Sequence, residues 1–320
     1  MARGVRWLGL LIGIAVLLAV LHNADLPGAW GQIRTLRWRF GVILLFYAVI
    51  FGLDTLGWQF ALRQDSQHRV SWMRLFWTRL AGEAVNYITP TASLGGEPVK
   101  AYLLSKRYGV PVADGMASVV VAKTTFTLSM FLFIVTGLVV VAFSTPLQGA
   151  LLKWVWITLP ALVLLFVFFV AVQFFEPFRR GAGLATRLAP AWLSHLGAKV
   201  QHWDRTLIDL YRQSPRRVLL SLGWHFLGWM AGIGEVYLIL KFLGVPVTFL
   251  TAWALEALWV LLRSSAFMIP GSLGASEGFL LLVCFGLGIN LVSGLALGLV
   301  RRARELFWMG LGLLEFSRER

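Results

Sequence analysis

Apolar runs of membrane-spanning length constrain this chain more than any other feature of it. A helical span of a bilayer needs roughly 20 mainly apolar residues. Runs that approach or exceed this length lie at about Trp7–Leu21, Phe40–Leu62, Val112–Phe143, Leu151–Phe174, Val218–Phe242 and Leu291–Phe316. With 58% hydrophobic and only 14% charged residues, a soluble domain of 320 residues has too little polar surface to cover itself. The expected fold is all-α, a polytopic membrane protein, because a helix satisfies its own backbone groups inside hydrocarbon.

Charge sets the orientation. The net charge of +14 gathers in the short segments between apolar runs, as expected for anchoring at an anionic cytoplasmic leaflet and not for binding nucleic acid. The segment Glu176–Arg217 carries Arg179, Arg180, Arg187, Lys199, Arg205, Arg212, Arg216 and Arg217 and is expected in the cytoplasm. Its stretch "WLSHLGAKVQHWDRTLIDLYR" has the apolar spacing of an amphipathic surface helix. Counting outward from it places Arg63, Arg69, Arg74, Lys106, Arg107 and the terminal "SRER" inside. The uncharged connections "STPLQG" and "GVPVTF" fall outside, and only Arg34, Arg37 and Arg39 sit on the wrong side. The N-terminal "MARGVRWLGLLIGIAVLLAVLHNAD" reads as an uncleaved first span, because His22 makes a poor context for cleavage after Ala24. Both termini are thus expected in the cytoplasm, with the chain in the cytoplasmic membrane.

Two polar breaks interrupt this pattern, "NYITPTASLGGEPVKAY" from Asn86 and "MIPGSLGASEGFLL" from Met268. Pro90 and Glu97 recur as Pro270 and Glu277, each at an offset of 180 residues. At the same offset the span from Phe40 falls on that from Val218, and Gly52 falls on Gly232. The short pair Trp72–Thr89 and Glu97–Tyr108 falls on the pair Phe249–Ile269 and Ser276–Gly288. The expected organisation is a first span and external loop (1–39), repeat 1 (40–143), a linking span with the cytoplasmic segment (144–217) and repeat 2 (218–320). The first broken pair is entered from the cytoplasm and the second from outside. That is an inverted-topology repeat with a re-entrant broken helix pair in each half, the pattern that points to a transporter's binding site. In hydrocarbon such a break is tolerable only around protein or a water-filled cavity. Pro90 and Pro270 remove donors, Gly95, Gly96 and Gly274 permit positive φ, and Pro98 suits a first helical turn. Each bend then presents a helix N-terminus, which favours an anion.

Charges inside apolar runs are costly and should face the bundle interior. Asp54, Glu83, Asn86, Lys123, Glu235, Arg301, Arg302 and Arg304 are candidates for coupling or structural roles. Arg79 with Glu83, and Arg301 with Glu305, have the spacing of intrahelical pairs. Glu97 and Glu277 also fit first-turn carboxylates with no role beyond the helix dipole, and Lys100 and Arg263 fit interface snorkelling. Cys284 lies alone in an apolar run, and His22, His68, His195, His202 and His225 are scattered without metal-ligand spacing. Neither a metal nor a cofactor is expected, and no GxSxG or HExxH marks an enzyme.

At "EAVNYITPTASLGGEPVKAYLL", "ASVVVAKTT", "RSSAFMIPGSLGASEG" and "LVRRARELFW" the chain resembles the flippase-like membrane proteins related to the transmembrane region of lysylphosphatidylglycerol synthases. Some members of that family are associated with hopanoid biosynthesis. The resemblance spans about Trp7 to the C-terminus and implies lipid translocation between leaflets. No counterpart of the synthases' soluble aminoacyl-transfer domain is present in this sequence, so lysyl transfer is not expected. By motif position the headgroup residues would be Glu97, Lys100, Arg263 and Glu277, within bends that include Pro90, Gly95, Gly96, Pro270 and Gly274. The expected activity is transport of an anionic or isoprenoid-type lipid, not catalysis, with the bilayer as surroundings. A membrane-embedded lipid-modifying enzyme and a small-solute or ion transporter are the alternatives.

Overall fold

The computed structural model describes residues 25–63, 66, 70–89, 95–144, 150–174, 214–266, 269, 272 and 274–318. The expected first span, Pro90, Pro270 and the cytoplasmic segment up to residue 213 lie outside these residues. Among the described residues the secondary structure is helical, with ten helices of nine residues or more. They are α1 (Leu26–Arg34), α2 (Arg39–Ala61), α3 (Trp72–Ile88), α4 (Gly96–Tyr108), α5 (Val112–Ser144), α6 (Ala150–Phe174), α7 (Pro215–Phe242), α8 (Phe249–Ser265), α9 (Ala275–Gly286) and α10 (Leu291–Ser317). Of these, α2 and most of α5 are long and apolar enough to cross a bilayer.

Helix ends fall where local chemistry ends them. α4 stops at Gly109 (φ 65°) and α7 is followed by Gly244 (φ 79°), each preceding Val-Pro. The valine amides reach back to the carbonyls of Leu104 (3.4 Å) and Leu240 (2.9 Å), a left-handed C-cap in both places. The shared "GVPV" is therefore shared capping. α8 is capped by Thr248, whose Oγ1 accepts from the Thr251 amide at 3.1 Å. α7 begins three residues earlier than its apolar run, at Pro215, which has no amide to leave unpaired. That extension brings Arg217 to the end of α2, where its Nη2 donates to the Leu62 carbonyl at 2.6 Å.

The expected external loop up to residue 39 contains α1 instead. Asp25 caps it, accepting from the Gly28 amide at 2.9 Å, and Pro27 sits in its first turn. α1 packs on α10, with Gln32 Nε2 donating to Ser293 Oγ at 3.2 Å.

The helices from α2 to α5 have 23, 17, 13 and 33 residues, and those from α7 to α10 have 28, 17, 12 and 27. Within each set the order of packing is the same: first on second, second on third, third on fourth, first on fourth. Between sets, α2 crosses α7, α3 crosses α10 and α8 crosses α5. Glycine permits both of the last two crossings. A Cβ on Gly312 would meet the Leu80 carbonyl oxygen at 2.5 Å, and one on Gly137 would meet Ala257 Cβ at 2.2 Å. The main core joins α5 to α7, α8, α9 and α10 around Phe133, Ile233, Leu255 and Ala296. A smaller aromatic core, Phe51, Phe76 and Trp308, joins α2 and α3 to α10. Large apolar side chains such as Leu45, Phe143, Leu164, Leu219 and Phe285 point outward, the surface expected to meet lipid.

Candidate functional site

Where the two sets of helices meet, they line an open cavity of about 430 Å³. Among the described residues six cations line it, Arg79, Lys100, Lys123, Arg263, Arg301 and Arg304. Six carboxylates line it with them, Asp54, Glu83, Glu97, Glu235, Glu256 and Glu305. Charges taken out of water are costly unless paired, and each of these has an opposite charge within 4 Å.

The first cluster is built on the α3–α4 hairpin. Lys100 Nζ donates to Glu83 Oε1 at 2.6 Å and Glu97 Oε2 at 3.0 Å. Lys123, on α5, reaches to 3.6 Å from Glu97 Oε1. Asn86 joins the two helices. Its Oδ1 accepts from the Gly96 amide at 2.6 Å, satisfying an unpaired donor at the start of α4, while its Nδ2 donates to Glu97 and Glu83. The helices come this close because Gly82 faces Gly96, and a Cβ on Gly96 would lie 1.9 Å from the Gly82 carbonyl oxygen. Here the expectation of positive φ is corrected. Gly95 has φ −68° and Gly96 is helical, so glycine serves close approach. Gly274 does adopt φ 74°, as expected.

The second cluster mirrors part of the first. Glu277, in the first turn of α9, pairs with Arg302 on α10, as Glu97 of α4 pairs with Lys123 on α5. The carboxylates are 180 residues apart and the cations 179. Arg302 Nη1 also donates to Tyr87 Oη at 2.6 Å, tying α10 to α3. Arg301 holds Glu256 through two bonds of 2.8 Å and stacks 3.9 Å from the Trp259 ring. Arg304 pairs with Glu235 and lies 3.9 Å over the Tyr47 ring. Arg263 stacks 4.8 Å from Trp259, with Nη1 3.6 Å from Glu305 Oε1.

A third group joins α2 to α7. Asp54 accepts from Arg79 Nη2 at 3.1 Å, and its other oxygen lies 3.0 Å from His225 Nδ1. Gly228 leaves room for the Asp54 carboxylate and Gly57 for the imidazole, which a Cβ on Gly57 would meet at 2.6 Å. Phe126 meets the imidazole edge-on at 5.4 Å. His225 Nε2 is buried without a hydrogen-bond partner among the described residues.

The sequence-derived candidates therefore divide. Glu97, Lys100, Arg263, Asp54, Glu83, Asn86, Lys123, Glu235, Arg301 and Arg304 line one cavity. Glu277 and Arg302 stand beside it, joined through Arg302 to the lining residue Glu305. The expected intrahelical pairs are not formed. Arg79 goes to Asp54 and Glu83 to Lys100, while Arg301 goes to Glu256 and Glu305 to Arg263, Arg302 and Arg304. Neighbours at i and i+4 share a helix face, and here that face looks into the cavity, where other helices present nearer partners. Sequence reasoning missed His225, Trp259, Tyr47 and Tyr87 as lining residues. A lone histidine or aromatic in an apolar run carries no periodic signal.

A model of the family described as "Lysylphosphatidylglycerol synthase TM region" matches residues 6–312. A protein of Methanothermobacter thermautotrophicus described as a "UPF0104 membrane protein" is 26% identical over 316 residues, covering 93% of this chain and 89% of that one. No solved structure matches.

Proposed function

The chain belongs to the lysylphosphatidylglycerol synthase transmembrane-region family, a multi-pass membrane family, and on that premise we propose that it is a lipid flippase. It moves a phosphate-bearing lipid between leaflets by alternating access. The carrying observation is the charged cavity of about 430 Å³ between two sets of helices alike in order and packing. A purely structural bundle has no reason to keep twelve charged side chains around a void, since apolar packing is commonly as stable as a buried ion pair.

Further support comes from helix length. α3 and α8, with 17 residues each, reach about 26 Å, and α4 and α9 are shorter still, against a hydrocarbon core of about 30 Å. In this reading each pair enters the membrane, bends short of the far surface and returns, and the two halves are inverted repeats. The headgroup enters the cavity while the acyl chains stay in the bilayer. Rocking at the α3–α10 and α5–α8 crossings then opens the cavity to the other leaflet.

The test is reconstitution into liposomes holding trace labelled lipids of several headgroup classes, with chemical quenching of the outer leaflet. The expected result is faster loss of protected label than in protein-free liposomes for at least one class. Identical rates for every class, with and without an ion gradient, overturn the reading.

A further inference from the structure

The translocation reading leaves the energy source unnamed, and resting on that reading, the crossing of α2 and α7 names one. Asp54 on α2 and His225 on α7 are each set into the other helix. Gly228 of α7 clears a place for the carboxylate, where a Cβ would meet Asp54 Oδ1 at 2.8 Å, and Gly57 of α2 clears one for the imidazole. His225 Nδ1 lies 3.0 Å from Asp54 Oδ1, and Asp54 Oδ2 accepts from Arg79. All three residues line the cavity. At the offset of 180 residues that relates Glu97 to Glu277, Asp54, Arg79 and His225 correspond to Gly234, Trp259 and Leu45. The group therefore stands once in the chain, apart from the mirrored glutamates. Apolar side chains would pack such a crossing without it, and intramembrane Asp and His side chains commonly mark proton paths.

The seat of the ring admits one protonation state. With Asp54 held by Arg79 as a carboxylate, Nδ1 carries the hydrogen and donates it to Asp54. The opposite edge of the ring lies on Gly57, so close that a Cβ there would stand 2.6 Å from both Cε1 and Nε2. Nε2 has no hydrogen-bond partner among the described residues, and His225 is 2% exposed. A second N–H at Nε2 would be a buried cationic donor pressed against Gly57 with nothing to accept it. The neutral imidazole fits this seat and the imidazolium does not. When α2 and α7 shift so that the ring leaves Gly57, Nε2 can meet water in the cavity, while Nδ1–H keeps Asp54 as counter-charge.

The charged groups near the ring follow from the elements around α7. α2 supplies Asp54 and α3 supplies Arg79, and Lys100 of α4 acts from further away. α5 presents the edge of Phe126 to the ring, with Lys123 Nζ 6.0 Å over that phenyl. α8 and α10 bring Glu256 and Arg304 to α7 only further along, at Gly232 and Glu235. Among the described residues, Asp54 is the carboxylate in contact with the imidazole.

We propose that His225 is the proton-binding site that couples translocation to a proton gradient. Nε2 takes a proton from water when the α2–α7 crossing opens and returns it to water when the ring reseats on Gly57. Acid therefore favours the open crossing.

Proton binding is measured apart from transport, by histidine nitrogen NMR on the purified chain carrying His22→Gln, His68→Gln, His195→Gln and His202→Gln, so that His225 alone reports. Between about pH 8 and about pH 5, Nε2 should pass from bare to protonated. Over the same range, spin labels at Val49→Cys on α2 and Leu227→Cys on α7, both exposed, should gain a second distance in a Cys284→Ser background. His225→Asn, whose amide can still donate to Asp54, should lose that second distance. In liposomes it should also lose the acceleration of label loss by a proton gradient. Asp54→Asn should keep the response but need more acid, because the counter-charge is gone. An Nε2 that stays bare throughout, an unchanged distance in the wild type, or a second distance that survives His225→Asn each overturns the proposal. So does a chain that moves lipid equally fast with and without a proton gradient. A chain that moves no lipid, yet titrates and opens at His225, removes the flippase reading and leaves the proton site standing.

Discussion

At Gly96 a single methyl group separates two kinds of glycine. A Cβ there would lie 1.9 Å from the backbone oxygen of Gly82, and backbone cannot swing aside as a long side chain can. Gly96→Ala should force α3 and α4 apart, break the Asn86 bridge and prevent recovery of monodisperse protein, or lower Tm steeply. At Gly31 nothing lies within 4 Å, so Gly31→Ala should be neutral or stabilising by about 0.5–1 kcal/mol. Gly57→Ala falls between, costing about 1–3 kcal/mol as the methyl displaces the His225 ring from Asp54. Thermal unfolding in detergent ranks the three, and equal Tm values for Gly96→Ala and Gly31→Ala would contradict the packing. The sequence shows that Gly95 and Gly96 break an apolar pattern. It does not show whether they serve an unusual φ or a close neighbour, because the neighbour, Gly82, belongs to another helix.

Among the helices, buried ion pairs replace much of the apolar contact a soluble bundle would use. Arg301 on α10 and Glu256 on α8 share two hydrogen bonds and are almost fully buried. Arg301→Met should cost about 3–5 kcal/mol by leaving Glu256 uncompensated, and Glu256→Gln with Arg301→Met should recover most of it. Chemical denaturation of the wild type and the two variants checks this, and a double variant no more stable than Arg301→Met would refute it. Element boundaries were largely legible: α3 and α5 begin where their apolar runs begin, at Trp72 and Val112. Strong hydropathy steps, αL glycines and prolines mark such ends. α1 was not legible as an apolar run, since "LPGAWGQIR" holds two glycines and a proline. Its signal was the Asp25 cap with Pro27 in the first turn. The partners of Arg79, Glu83, Arg301 and Glu305 were not legible either, because periodicity describes one helix and these bonds join several.

Across the whole molecule, the charge distribution predicts an orientation that labelling can check. In a Cys284→Ser background, a cysteine at exposed Thr248 should react with an impermeant maleimide added to intact cells, and one at exposed Ser317 only after permeabilisation. Reaction of Ser317→Cys in intact cells would invert the assignment. The recurrence of Glu97 as Glu277 was legible 180 residues apart. So was the gathering of most candidate residues, because polar groups in apolar runs have nowhere else to go. What sequence did not disclose was which charged side chains face one another across the cavity, because that depends on how several helices pack.

The spacing of the ion pairs along the chain also bears on how the protein is made. Asp54 waits for Arg79, 25 residues later, and for His225, 171 residues later. Glu235 on α7 waits for Arg304, 69 residues later. At roughly 5–20 residues per second, the ribosome takes about 3–14 s to supply that arginine. During that interval α7 has left the ribosome with a carboxylate whose final partner has not been synthesised. Until α10 emerges, that carboxylate can be met by water, by a proton or by an interim partner. The pairs Glu235–Arg304 and Glu256–Arg301 are thus among the last to form, with the last long helix completing charges laid down by the earlier ones.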